Sequence, residues 1–137
     1  MKTLKEFLRG DRFVQHCGIE LVSFEPGHAV TQMLVQPWHF NAVGIVQGGA
    51  IFTLADYAFA VASNAHGTVA VGVNASITYM KAATAGMLTA EARELALNRK
   101  LASYTVNVTN EAGDLIAVFQ GLVYRKNQTI AAGSDAR

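Results

Sequence analysis

GAIFTLADYAFAVASN (Gly49–Asn64) is the stretch on which the fold of this chain turns. From Ala50 to Ala62 every residue is apolar except Thr53 and Asp56. The stretch reads as a helix, and a helix that is apolar all round is buried all round. One sheet covers only one side of such a helix, so the far side is expected to meet a second subunit. Downstream, in residues 69–79, Val69, Val71, Val73, Ala75, Ile77 and Tyr79 alternate with Ala70, Gly72, Asn74, Ser76 and Thr78. That period of two is a strand with one packed face. Residues 86–96, 101–109 and 115–125 follow as three more strands, parted by Leu97–Lys100 and by the turn Asn110-Glu111-Ala112-Gly113. Upstream, residues 18–25 and 28–36 read as two strands joined by Pro26-Gly27. A short amphipathic helix over residues 2–9 opens the chain, and a second short turn or helix runs to Cys17. The order predicts an α+β domain: one long central helix wrapped by a mostly antiparallel sheet of five to six strands.

The chain has 137 residues and a mass of 14.6 kDa, the size of one domain. Residues 1–126 are expected to form it, with 127–137 as a flexible polar tail. A 51% hydrophobic and 15% charged composition leaves room for a large core and fits surface buried against another copy. The net charge of +1 offers no general attraction to nucleic acid or acidic membranes. The longest apolar stretch is broken by Gln47, Asp56 and Asn64, so no membrane span is expected. The opening MKTLKEFLRG lacks a signal core, which reads as a cytoplasmic protein. Cys17 is the single cysteine, so there is no disulfide framework. His16, His28, His39 and His66 have no metal-ligand spacing, and no Gly-x-Ser-x-Gly elbow or P-loop is present.

Between Pro26 and Met80, 55 residues, the one formally charged side chain is Asp56. It lies mid-helix on the face of Gly48, Phe52 and Phe59/Ala60. An ionised carboxylate is costly to bury, and desolvation raises its pKa toward useful general-base strength. The alternative is a structural aspartate satisfied by nearby donors. Gly48-Gly49, after Asn41, Gly44 and Gln47, places free amides at the helix start, where the helix dipole favours developing negative charge. A turn with no chemistry is the plainer reading of that pair. Gly48 and Asp56 are eight residues apart, or about 12 Å along one helix. They cannot reach one carbonyl within a protomer. Two antiparallel helices about a two-fold would bring Gly48 of one chain to Asp56 of the other.

The segment HFNAVGIVQGGAIFTLAD (His39–Asp56) resembles the signature of hotdog-fold thioesterases of the PaaI-like, phenylacetic-acid-degradation group. That signature is His-x-Asn-x-x-Gly-x-x-His-Gly-Gly, then Leu-Ala-Asp. The similarity extends over nearly the whole chain, including NASITYMKAA (Asn74–Ala83). It implies a hotdog fold, a homodimer or homotetramer, and hydrolysis of an acyl-coenzyme A thioester with no cofactor beyond the substrate's own coenzyme A. In that scheme Asp56 is the general base or nucleophile, the Gly48 N–H polarises the thioester carbonyl, and Asn41 holds the water or the thioester. Gly49, Asn74 and Ser76 lie near the substrate. Gln47 stands where the family most often has His, which removes any titration at that position.

Arg99 and Lys100 are candidates for the phosphates of coenzyme A, or else ordinary solvated strand-end charges. Phe52 and Phe59, with Trp38, Phe40 and Tyr57, are candidates for an acyl or aryl pocket, with core packing as the competing role. A non-catalytic acyl-CoA binder is the alternative function. A hotdog hydratase is a weaker one, because no histidine lies between His39 and His66.

Overall fold

The computed structural model describes residues 3–130. Two short helices, α1 (Leu4–Leu8) and α2 (Arg12–His16), lead into β1 (Ile19–Glu25) and β2 (His28–Leu34). A 3-10 turn at Pro37–His39 and a loop precede α3 (Gly48–Asn64). Four strands complete the chain: β3 (Thr68–Tyr79), β4 (Met87–Leu97), β5 (Leu101–Thr109) and β6 (Leu115–Thr129). They form one six-stranded sheet in the order β1-β2-β4-β5-β6-β3, with every neighbouring pair antiparallel. The α+β expectation therefore holds at six strands. Among the described residues, no helix is long and apolar enough to cross a membrane.

Capping side chains set the helix boundaries. Thr3 and Glu6 form a reciprocal capping box on α1, and Asp11 accepts the Val14 amide at the start of α2. Asn64 ties the end of α3 to β3: its Nδ2 donates to the Ala60 and Ala70 carbonyls, and its Oδ1 accepts the Ala70 amide at 2.9 Å.

Helix α3 lies across the sheet and presses Ile51, Leu54, Ala55, Ala58 and Ala62 into the core. Phe59, only 3% exposed, seats its ring against Tyr104 and Phe119. It also sits over Gly72 and Gly121; a Cβ on Gly121 would lie 2.6 Å from the ring, so that position admits no side chain. The outer side of the helix is not left wholly to a neighbour. Leu4 and Leu8 of α1 pack into the same core, and Tyr57 Oη donates to the Leu8 carbonyl at 2.7 Å. What stays half-covered is a stripe of Phe52, Thr53, Asp56 and Ala60, headed by the exposed Gly49.

Two other expectations change. Strand β3 is not one uninterrupted alternation: its register with β6 slips between Gly72 and Asn74. The extra residue, Val73, turns the strand over, a bulge that exchanges the faces on either side of it. Strand β6 continues through Thr129, so Asn127–Thr129 belong to the sheet rather than to a tail. Residues 131–137, the rest of that expected tail, lie outside the described residues.

Candidate functional site

The site begins in the loop before α3. His39, 4% exposed, accepts the Gln36 amide on Nδ1 and donates from Nε2 to the Cys17 carbonyl at 2.8 Å. Both ring nitrogens are thereby used in joining the loop to the end of α2, and the His39 carbonyl receives the Gln47 amide at 2.8 Å. Asn41 folds the next residues around itself. Its Oδ1 accepts the amides of Val43, Gly44 and Ile45 at 2.9, 3.1 and 3.2 Å, and Gly44 supplies the positive φ of 95° that the turn needs. Only the Nδ2 of Asn41 remains to meet a ligand.

Gln47 is the N-cap of α3, with its side-chain oxygen on the Gly49 amide. The departure from the family histidine is thus a helix cap here. The Gly48 carbonyl accepts a hydrogen bond from Tyr79 Oη at 2.9 Å. The Gly48 amide has no partner among the described residues.

Two depressions meet at Tyr79. One, about 370 Å³, is lined by Asn41, Gly48, Tyr79, Met80 and Lys81. The other, about 990 Å³, is bounded by Phe13, Trp38, Phe40, Gln47, Phe52 and Thr53. Trp38 and Phe13 stand at its mouth, 68% and 63% exposed. Lys81 is engaged with Asp114 at 2.6 Å.

Asp56 follows Thr53 by three residues on the half-covered stripe of α3. Its carboxyl accepts no hydrogen bond from a described residue. Burial pushes its pKa above the ordinary aspartate range, and the negative charge of Asp11 pushes it further the same way. A partly buried, unpartnered carboxylate is poised to take up a proton. The structural alternative, an aspartate satisfied by nearby donors, does not describe this side chain within the protomer.

The chain thus brings Asn41, Gln47, Gly48 and Gly49 together at the head of α3, with Phe52 in the adjoining cleft. It does not bring the other candidates there. Phe59 is a core residue, because its helix face turns to the sheet. Ala75 pairs with Gly121, on the helix side of the sheet, so Asn74 and Ser76 take the opposite face, paired with Leu122 and Gln120. Arg99 and Lys100 lie elsewhere, in a basic depression of about 460 Å³ with Arg125 and Lys126. That corner is ordered by backbone contacts: Arg125 donates from its guanidinium to the Asn98 carbonyl at 2.9 Å, and its amide meets the Lys100 carbonyl at 2.7 Å. Sequence reasoning missed Tyr79 and the anchoring by His39. The only signal for Tyr79 was an aromatic hydroxyl at the end of a strand, where a polar tip seeks a partner. Among the described residues, no three His, Cys, Asp or Glu side chains gather to hold a metal.

Residues 43–117 match the thioesterase superfamily. A putative esterase of Archaeoglobus fulgidus is 42% identical over 130 residues, covering 93% of this chain and 84% of that protein. The acyl-coenzyme A thioesterase PaaI of Escherichia coli is 32% identical over 88% of this chain and 86% of its own length. A solved structure of the E. coli PaaI protein superposes with a TM-score of 0.89 at 30% identity, covering 94% of each chain. The Streptococcus mutans protein smu.793, solved bound to acetyl CoA, superposes with a TM-score of 0.77 at 29% identity over 81% of this chain and 90% of its own.

Proposed function

This chain belongs to the thioesterase superfamily, among its PaaI-like hotdog members, and we propose that it hydrolyses acyl-coenzyme A thioesters at a site shared by two copies of itself. The observation that carries this reading is the pairing of an unpartnered, partly buried carboxylate with an open amide on the same helix. Asp56 and Gly48 are too far apart along α3 to serve one carbonyl, about 12 Å by helix rise. A second copy related by a two-fold completes two such sites at once. Strand β3 favours that arrangement, since it is a long edge strand whose outer rim of backbone donors and acceptors faces no other strand among the described residues. A tetramer built by pairing dimers would keep the same site.

In the reaction, Asp56 takes a proton from a water molecule as that water attacks the thioester carbonyl carbon. Charge builds on the carbonyl oxygen, where the Gly48 N–H of the other copy receives it. The tetrahedral intermediate then collapses, the carbon–sulfur bond breaks, and the proton passes from Asp56 to the departing thiolate. The products are the free acid and coenzyme A, with water as the only co-reactant. Asn41 Nδ2 steadies the thioester or the water beside Gly48. The apolar cleft beyond Gly49 and Phe52 receives the acyl group, and the basic corner at Arg99 and Lys100 attracts the nucleotide phosphates.

Thiol release from phenylacetyl-, benzoyl-, hexanoyl- and palmitoyl-CoA, with the Asp56→Asn variant as the blank, tests the assignment. Turnover of at least one thioester by the wild type, absent from the blank, is the expected result. Binding of all four with no turnover would make the chain an acyl-CoA binder instead.

The charge of Asp11 gives a second expectation. A general base works only when deprotonated, so activity falls as pH drops through the raised pKa of Asp56. Asp11→Asn removes the like charge and keeps an oxygen to cap Val14, so the acid limb of the kcat/KM profile should move to lower pH. An unmoved limb would show that burial alone sets the proton affinity of Asp56.

A further inference from the structure

The amides that open α3 are engaged with one exception, and the pattern singles that one out. First-turn amides of a helix find no partner within it. Here the Gly49 amide goes to Oε1 of Gln47, while those of Ala50 and Ile51 go to the Gln47 carbonyl at 2.9 and 3.4 Å. Gly48 alone is left open.

The peptide unit between Gly48 and Gly49 is held at both ends. Its carbonyl accepts from Tyr79 Oη at 2.9 Å, and its N–H is taken by the Gln47 side chain. Two successive glycines would otherwise leave this peptide free to rotate. Tyr79 also occupies the space beside Gly48: a Cβ there would stand 2.9 Å from Oη and 3.0 Å from Cζ. The tyrosine comes from the last residue of β3, across the sheet from the loop, so the clamp joins two separate elements.

We propose that Tyr79 and the Gln47 side chain form a clamp on the Gly48–Gly49 peptide, which fixes the far side of the Gly48 Cα so that the preceding Gln47–Gly48 peptide, its carbonyl held by the Ala50 and Ile51 amides, presents the Gly48 N–H to the thioester oxygen. The inference rests on the thioesterase reading above and extends it. Tyr79 is a positioning residue, acting through the glycine rather than on the substrate. Gln47 acts as the opposite jaw, which gives the non-titrating residue at that place in the motif a defined task. The clamp leaves the ground-state carbonyl little changed and matters most when charge has formed on the oxygen. Its loss therefore falls on kcat.

Tyr79→Phe removes one hydroxyl and keeps the ring. The expected result is a fall in kcat of about tenfold or more, the scale of a small misplacement at a reacting centre, with KM and the thermal midpoint near wild type. Gln47→Ala should show the same kinetic signature, with a somewhat lower thermal midpoint because α3 also loses its cap. The double variant should lose little more than either single one, because both act on a single peptide.

Amide hydrogen exchange at Gly49 supplies a readout independent of turnover: it should quicken in both single variants. A Tyr79→Phe enzyme with wild-type kcat would overturn the clamp, and so would losses that multiply in the double variant. A fall in kcat that tracks a fall in thermal midpoint in both single variants would overturn it too, as a folding effect. A wild type that turns over no thioester would sink the thioesterase reading instead. The clamp would then stand or fall on Gly49 exchange, with unchanged exchange in Tyr79→Phe overturning it.

Discussion

Asp56→Asn should abolish nearly all thioester hydrolysis and leave the protein folded, with a thermal midpoint at or above that of the wild type. The amide has the shape of the carboxyl but cannot take a proton from water. Losing a positioned general base costs about a hundred- to ten-thousandfold in rate. The stability side follows from the direction of the pKa shift. Burial and Asp11 raise the Asp56 pKa in the folded chain, so the folded state favours the protonated form. Below the unfolded pKa both states are protonated and Asp56 imposes no penalty. As pH rises toward and through the folded value, holding the charge in place becomes a cost to folding, and it remains at neutral pH. The asparagine never carries that charge. Activity and thermal midpoint measured together across pH 4–9 check both halves, since the gain in midpoint over wild type should fade toward acid. A variant that kept wild-type turnover would remove Asp56 from the mechanism.

Gly48→Ala is the second large effect, and it separates chemistry from folding in a different way. Alanine is a better helix former than glycine by about 1 kcal/mol. Gly48 does not have a positive φ, so the backbone itself accepts a side chain. The obstacle is Tyr79, which must retreat from a Cβ 2.9 Å from its hydroxyl and so gives up its hydrogen bond to the Gly48 carbonyl. The methyl also intrudes on the depression that Gly48 shares with Asn41. The expected outcome is a loss of about a hundred- to a thousandfold in kcat, as when an oxyanion donor is removed, with stability held or improved. Gly49→Ala offers a contrast. There the added Cβ meets Oε1 of Gln47, the end of a flexible side chain that can swing away. Its effect should be smaller, and steady-state kinetics of the two variants side by side would show the ranking.

Much of this was legible in the sequence, for reasons that can be named. The all-apolar helix, the alternation over 69–79 and the Pro26-Gly27 turn are local signals, and the helix and strands they mark formed within a residue or two of their expected bounds, whereas β6 ran four residues past its expected end. The uncharged stretch around Asp56 pointed to a lone carboxylate, and the structure leaves that carboxylate without a partner. What stayed hidden depends on contacts between distant residues. The bulge at Val73 cannot be read from alternation, because the pattern looks the same whether or not the strand turns over. It is this bulge that sends Asn74 and Ser76 to the far face. Phe52 and Phe59 are both aromatic residues on one helix, and only the placement of Gly72 and Gly121 decides that Phe59 faces inward. The tie between Tyr79 and Gly48 spans 31 residues and leaves no local trace. Gln47 read as a departure from a motif; its work as a cap became visible only with its partner amide.

The seat of Phe59 on Gly72 and Gly121 reaches beyond packing. A helix lying on a sheet can roll about its own axis at little expense where its contacts are small and alike, as Ala55, Ala58 and Ala62 are beyond Ile51 and Leu54. One large ring dropped between two glycines removes that freedom and sets the helix's rotational phase. Asp56 lies three residues before the ring, so the same notch that turns Phe59 inward aims the carboxylate along the half-covered stripe. Two glycines on neighbouring strands, without touching any reacting group, thereby fix the compass bearing of the acid. The ring and its two sockets should drift through evolution as a single unit, since a side chain at either socket would roll the helix and swing Asp56 off its heading.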